Sequence, residues 1–372
     1  GVAHCALAIN AGSRDELPTE YGLAHFAEHA FFKGTHRRRA WQVNCRLENL
    51  GGELNAFTTK EDTTIHATTL RGDFAKAAEL IADVAFRSTF PERELEREKE
   101  VIVDEINTYK DSPADMIYDT FEDMLFAGSE LGHNILGRKA ALLRYDGDAI
   151  RAFTARTHTT DQMVFASVGN FTARTAESIA ARYFAEQPAT TRAFARRPAQ
   201  PCAPFEKSVA KHTHQTHCII GNRAYGIDDP RRLALALVVN ILGGPSANSL
   251  LNVEVREKHG LSYNIEASYT PYGDTGIVAI YFSHRRALHR TDRGPPAASP
   301  HRAALRTAAV DGQEAVHRPA GHLGRKQRKL HARGVQEPAH ACRNRHDGAG
   351  LRQSAGTDGN AADRGGRRGL HR

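Results

Sequence analysis

The sequence predicts an α+β protein made of two similar halves. Strand-like and helix-like hydrophobic patterns alternate along residues 1–187, and a segment rich in Pro, Ala and Arg follows at residues 188–204. The same order of patterns then begins again and ends sooner, at about residue 283. The chain has 372 residues, 40% of them apolar, which is enough for two cores. We therefore predict a first half at 1–187, a linker at 188–204 and a partial second half at 205–283.

Period-two alternation and turn residues predict the strands, and longer runs with a 3.6-residue period predict the helices. In the first half, strands are predicted at 2–10 and 162–169, a hairpin at 53–70, and helices at 21–32, 41–50, 73–88, 92–110, 112–127 and 174–184. In the second half, strands are predicted at 217–222, 262–270 and 275–282, and a helix at 231–242.

The most informative motif is His25-Phe26-Ala27-Glu28-His29. Residues four apart in a helix lie on the same face, so the imidazoles of His25 and His29 can converge on one ion, and Glu28 leans to the same side. A catalytic zinc ion takes three protein ligands and keeps a fourth position for water. The motif therefore indicates a metal site with an adjacent base, and its third ligand must come from elsewhere. The alternative is a charged helix face with solvent-exposed histidines.

The predicted helix at 92–110 offers that third ligand. Glu98 and Glu105 stand seven residues apart and share a face. One could bind the metal while the other accepts the second N–H of a ligating imidazole. The other glutamates of this helix, which we interpret as solvated surface charges, are Glu94, Glu96 and Glu100.

Four motifs in this order resemble the pitrilysin, or insulinase-type, family of zinc peptidases, which carry the inverted motif His-x-x-Glu-His. This family includes insulin-degrading enzyme and mitochondrial processing peptidase, and the chain is similar to bacterial members of the latter kind. The motifs are His25-Phe26-Ala27-Glu28-His29, Phe32-Lys33-Gly34-Thr35, the segment 51–58 and the segment 98–105.

The resemblance implies a zinc-dependent endopeptidase that hydrolyses peptides or unfolded protein segments. It implies zinc ligands His25, His29 and Glu105, the general base Glu28, and Glu98 as the acid that supports a ligating imidazole. It also implies a clamshell of two α+β halves around a substrate chamber, of which this chain has a complete first half and a truncated second half. The cofactor it implies is Zn²⁺.

A stretch of the second half, from residue 255 to 263, is similar to the segment from which this family takes an arginine and an oxyanion-binding tyrosine. The resemblance implies that Arg256 and Tyr263 have these roles, and that they act across a homodimer or a heterodimer with a related subunit. The alternative is a surface arginine followed by a tyrosine packed in a strand.

The segment 53–58 is expected to form an edge strand. Asn55 and Ala56 could then hold a peptide that is added as an extra strand, through backbone hydrogen bonds that do not depend on side-chain identity.

Composition limits the alternatives. No run of eighteen apolar residues is present, so we expect no membrane-spanning helix. Five cysteines without a Cys-x-x-Cys pair favour free thiols in a reducing compartment, and we expect a cytoplasmic location. The chain begins Gly-Val-Ala-His, without methionine or a signal segment, so we expect that the native start is missing.

Residues 284–372 form a distinct basic tail. They contain 17 Arg and 2 Lys against 7 acidic residues, and no Ile, Phe, Tyr, Trp or Met, so they cannot build a core. The tail could be a disordered arm for nucleic acid or an anionic surface, a solvated linker, or an out-of-frame translation. We favour the last, because such an excess of arginine over lysine is typical of GC-rich codons. Nucleic-acid binding is consequently a weaker functional alternative than a peptidase, as is an inactive peptidase-like subunit.

Overall fold

The structure is a computed structural model that describes residues 1–211 and 213–285, all within one compact unit. The strands are β1 (Val2–Ile9), β2 (Glu53–Thr58), β3 (Thr63–Leu70), β4 (Met163–Gly169), β5 (Gln215–Ala224), β6 (Asn264–Pro271) and β7 (Gly276–Arg285). The helices are α1 (Leu23–Phe31), α2 (Ala40–Glu48), α3 (Phe74–Arg87), α4 (Glu92–Lys110), α5 (Pro113–Leu125), α6 (Lys139–Leu142), α7 (Gly147–Thr157), α8 (Ala173–Phe184) and α9 (Arg232–Gly243). Asn252–Lys258 is a π-helical segment.

The first sheet has four antiparallel strands in the order β2-β3-β1-β4. Alternate residues of β1 point into the core, where Leu7 and Ile9 are buried, as the period-two pattern predicts. Helix α3 packs against β1 and β3, and α1 packs against α4, α7 and β2. Strand β2 is an edge strand, so one row of its backbone groups is not paired within this sheet.

The second sheet has three antiparallel strands in the order β5-β7-β6. Helix α9 packs against β6, while α5, which belongs to the first half in sequence, packs against β5. Phe121 and Leu125 of α5 share a buried cluster with Ile277 and Ala279 of β7. The second sheet therefore rests partly on a helix of the first half.

Buried ion pairs also join the two halves and the segment between them. The guanidinium of Arg14 lies 2.5 Å from the carboxylate of Glu61 and 2.6 Å from that of Asp274 in the β6–β7 turn. Arg196, between the halves, lies 2.7 Å from Asp15. These contacts hold the first sheet, the connecting segment and the second sheet together.

The α+β fold class predicted from the sequence is confirmed, and every predicted element is present with boundaries that differ by at most three residues. The prediction lacked α6, α7 and the π-helical segment. Helix α7 has a visible start signal, since the Asp146 carboxylate accepts the backbone N–H of Ala149. Strand β7 continues to Arg285, and the predicted tail beyond that residue lies outside the described part of the chain.

Candidate metal centre

Helix α1 places its residues in two environments. Phe26, Ala27 and Ala30 are buried in the core of the first half. His29 and Glu28 lie at the half-buried surface of the same helix, and His25 is more deeply buried. The motif thus combines an apolar face that anchors the helix with a polar face that presents its functional groups.

Three side chains converge beside this helix. The Nε2 atoms of His25 and His29 are 3.2 Å apart, and the Glu105 Oε2 atom lies 3.6 Å from the first and 3.7 Å from the second. A tetrahedral zinc site with ligand distances of about 2.0–2.2 Å requires ligand atoms about 3.3–3.6 Å apart. Within residues 1–211 and 213–285, this is the only group of three or more His, Cys, Asp or Glu side chains with metal-ligand spacing. The donor set and its spacing fit zinc.

Glu98 fixes the orientation of one imidazole. Its Oε1 atom lies 2.8 Å from Nδ1 of His29, and its Oε2 atom lies 2.5 Å from Nζ of Lys33. Burial opposes ionisation of Glu98, but the hydrogen bonds from His29 and Lys33 outweigh it and lower the pKa of this carboxyl. An ionised Glu98 accepts the Nδ1–H of His29, which leaves the lone pair of Nε2 directed at the cluster.

His25 is held in its neutral form. Burial, and then the proximity of His29, lower the pKa of His25 to about 3. A neutral imidazole is the form that binds a metal. The Nδ1 atom of His25 is buried and has no hydrogen-bond partner, so this ring has no equivalent of Glu98.

Glu28 lies between the cluster and the end of β2. Burial raises the pKa of its carboxyl, and the nearby Glu105 raises it further, whereas hydrogen bonds from the side chain and backbone of Thr58 oppose the shift. A carboxylate with a raised pKa is better suited to accept and return a proton near neutral pH. Thr58 is thus the hydrogen-bonding neighbour of this carboxyl group at the end of β2.

A cavity adjoins the centre along the edge strand. It has a volume of about 280 Å³, and its lining residues are Phe32, Lys33, Asn44, Glu48, Leu54 and Asn55. Asn55 and Ala56 lie in edge strand β2, as expected. A larger cavity of about 590 Å³, lined in part by Phe74 and Phe171, includes none of the cluster residues.

Arg256 and Tyr263 lie in the second half. The Arg256 guanidinium stacks on the Tyr263 ring at 4.8 Å, and its Nε atom lies 3.5 Å from Glu257. The Tyr263 residue is 82% exposed, not half-buried as the packed-strand alternative requires. Within the described residues, the polar and ring contacts of these two side chains do not connect them to the cluster on α1.

Sequence reasoning did not assign roles to Lys33 and Thr58. Lys33 follows His29 by four residues, a spacing that places both on one side of α1 and its final turn. Thr58 ends the segment that was identified as the edge strand. Both residues lie within the motifs described above. Their roles depend on partners that are distant in sequence, Glu98 for Lys33 and Glu28 for Thr58.

Residues 1–139 match the family described as Insulinase (Peptidase family M16), and residues 145–292 match the family described as Peptidase M16 inactive domain. An uncharacterized zinc protease of Rickettsia bellii is 32% identical over 278 residues, which cover 74% of this chain and 67% of that protein. The chain belongs to the M16 (insulinase) family of peptidases.

Other relatives of this M16 chain have the same kind of description. The uncharacterized zinc protease YmxG of Bacillus subtilis is 34% identical over 274 residues, covering 73% of this chain and 66% of that protein. An uncharacterized zinc protease of Streptomyces coelicolor is 32% identical over 279 residues, which cover 73% of this chain and 60% of that protein. This chain spans about two thirds of the length of these relatives.

Solved structures agree with the M16 fold. A peptidase M16 inactive domain from Pseudomonas fluorescens superposes with a TM-score of 0.76 at 21% identity, covering 90% of this chain and 79% of that one. A protease from Helicobacter pylori superposes with a TM-score of 0.74 at 19% identity, covering 90% of this chain and 80% of that one. Within the described residues, the M16 chain has no helix that is both long and apolar enough to cross a membrane.

Proposed function

We propose that this chain is a zinc-dependent endopeptidase that hydrolyses peptides or unfolded protein segments. The observation that carries the proposal is the convergence of His25 Nε2, His29 Nε2 and Glu105 Oε2 within 4.8 Å of one another, beside Glu28. An intact ligand set with a neighbouring carboxylate favours an active subunit over an inactive one.

In this proposal, His25, His29 and Glu105 hold the ion and Glu98 orients His29. A bound zinc ion would lower the pKa of water and polarise the scissile carbonyl. Glu28 accepts a proton from the attacking water and delivers it to the leaving amine. The side chain and backbone of Thr58, which hydrogen-bond to Glu28 and lower its pKa, are proposed to hold this carboxylate beside the reacting atoms.

The peptide binds along β2 in this proposal. The exposed edge of β2 offers backbone groups at Asn55 and Ala56, and the adjoining cavity can receive a side chain from the bound strand. Because most of these contacts are made by the backbone, they suit segments of mixed sequence that are not folded.

Arg256 and Tyr263 are proposed to serve the site of a partner subunit, either a second copy or a related chain. The support is their exposure and the lack of described contacts between them and the cluster of their own chain. Their stacked arrangement presents a cation and a phenol together, which suits stabilisation of a developing oxyanion.

Substitution of Glu28 tests the proposal. The variant Glu28→Gln keeps the three ligands and should retain one zinc per chain, but should lose peptide hydrolysis by at least about 100-fold, because general-base catalysis contributes about 10²–10⁴-fold. Zinc content and cleavage of a quenched fluorescent peptide are measured together.

The matched control is Glu100→Gln, which changes an exposed glutamate of α4 in the same way and should leave both readouts unchanged. Wild-type turnover by Glu28→Gln would remove this residue from the base role, and a wild-type chain without zinc would overturn the proposal as a whole.

A further inference from the structure

Glu16 is a fully buried acid that lies outside the metal-binding motif. The exposed fraction of its side chain is 0%. Its Oε1 atom accepts the backbone N–H of Ala24 at 2.7 Å, and its Oε2 atom accepts that of Gly22 at 3.0 Å. Nε2 of His133 lies 2.8 Å from Oε2. Burying an acid costs free energy of solvation, and these three hydrogen bonds offset that cost for Glu16.

Two of these bonds hold the start of α1. The first N–H groups of a helix have no acceptor within the helix, and a side chain at the N-cap position usually supplies one. In α1 that position is Gly22, with φ of 92°, and a Cβ atom there would lie 2.8 Å from the Leu136 carbonyl oxygen. No side chain can cap the helix from this position. The Glu16 carboxyl group replaces the cap. Burial raises the pKa of this acid, and the hydrogen bonds from His133, Ala24 and Gly22 oppose the rise.

Other groups fix the Glu16 carboxylate in turn. The His133 ring stacks on Tyr21 with centroids 3.9 Å apart, and the His133 carbonyl accepts a hydrogen bond from Lys60 Nζ at 2.5 Å. The Tyr145 hydroxyl donates to the Tyr21 carbonyl at 3.1 Å. The acceptor for the N–H of Ala24 is therefore fixed one residue before His25.

We propose that Glu16 is a positioning residue for the metal centre: it fixes the first turn of α1, and through it the approach of His25 toward His29 and Glu105. This inference rests on the proposed function. Glu16 lies nine positions before His25 and outside the metal-binding motif, so the sequence alone does not indicate this role.

Zinc affinity of Glu16→Gln tests the inference. Glutamine has one acceptor oxygen for three donors, so its NH₂ group must face a donor and the first turn loosens. We expect the zinc dissociation constant, measured by competition with a chromogenic chelator, to rise about 10-fold, the lower end of effects seen when support around metal ligands is removed. At saturating zinc, kcat should fall while KM is unchanged, because the peptide-binding strand is not altered.

Asp15→Asn is the matched control. It changes the neighbouring buried acid, whose carboxylate pairs with Arg196 and makes no described hydrogen bond to α1. It should lower Tm but leave zinc affinity and kcat unchanged.

The outcomes separate the two proposals. If Glu16→Gln lowers Tm as Asp15→Asn does but keeps wild-type zinc affinity and kcat, Glu16 is only structural and the inference is wrong, while the proposed function stands. If the wild-type chain binds no zinc, the proposed function fails, and the inference fails with it. Faster amide hydrogen exchange in the first turn of α1 in Glu16→Gln, measured beside weakened zinc binding, supports the inference directly.

Discussion

At the candidate metal centre, the orientation of His29 depends on groups outside the three proposed ligands. Its Nε2 atom is available only because Nδ1 donates to Glu98, and Glu98 stays ionised in a buried position partly because Lys33 lies 2.5 Å away. The hydrogen-bonded series Lys33–Glu98–His29 holds the His29 ring in one tautomer and one orientation. His25 lacks such support at Nδ1, so its geometry depends on packing and on the position of its helix.

Lys33→Met tests this dependence at the residue scale. Methionine keeps most of the packing of the stem but removes the charge that stabilises ionised Glu98. We expect a zinc dissociation constant about 10- to 100-fold higher, the usual range for loss of a group that supports a ligand. Competition with a chromogenic chelator measures it.

Lys99→Met is the control, because Lys99 is also a buried lysine of this region but pairs with Glu96, away from the cluster. Equal zinc affinity in the wild type and Lys33→Met would show that Glu98 needs no counter-charge.

At the scale of elements, the sequence predicted α1, α4 and edge strand β2 because each has a strong local signal. A 3.6-residue period, Pro91 before a run of helix formers, and alternation in the hairpin are all contained in short windows. The cap of α1 was not predicted, because the residue that provides it lies outside the helix and acts through tertiary structure. Helix α7 was missed although Asp146 marks its start, since its hydrophobic pattern is weak.

Strand β2 allows a sharp test of peptide binding. The backbone N–H of Ala56 donates to the Asn55 side chain at 2.8 Å, which indicates that it does not serve the ladder with β3. Ala56→Pro should therefore remove this edge donor, which the Asn55 side chain now accepts, while keeping that ladder. We expect KM for peptides to rise about 2- to 10-fold, the equivalent of one net hydrogen bond of about 0.5–1.5 kcal/mol.

Ala56→Gly, which keeps the N–H, is the control for the loss of the alanine side chain, and zinc content verifies that the centre is intact. A KM for Ala56→Pro equal to that of Ala56→Gly would mean that substrates do not use this donor.

At the scale of the whole molecule, long-range contacts decide the arrangement, and single-sequence patterns contain little information about them. Arg14 pairs with Asp274, 260 residues later, and α5 of the first half packs against the second sheet. The residues of the candidate metal centre could be selected from the sequence because the four motifs stand in a recognisable order, and His25, His29 and Glu105 do converge. The packing of the second sheet on α5 could not be predicted, because the hydrophobic pattern of α5 does not indicate which element it packs against.

The location of Arg256 and Tyr263 leads to a prediction about assembly. If these residues serve the site of a second copy, a chain with Glu28→Gln and a chain with Arg256→Ala and Tyr263→Phe should each be nearly inactive alone. Mixed after dissociation, they should recover about a quarter of wild-type activity, because half of randomly assorted two-fold dimers are mixed and each mixed dimer has one complete site. Sedimentation of the wild type should show a dimer. A fully active monomer, or mixed chains that recover no activity, would contradict this arrangement. Arg256 and Tyr263 would then act in the site of their own chain or take no part in the reaction.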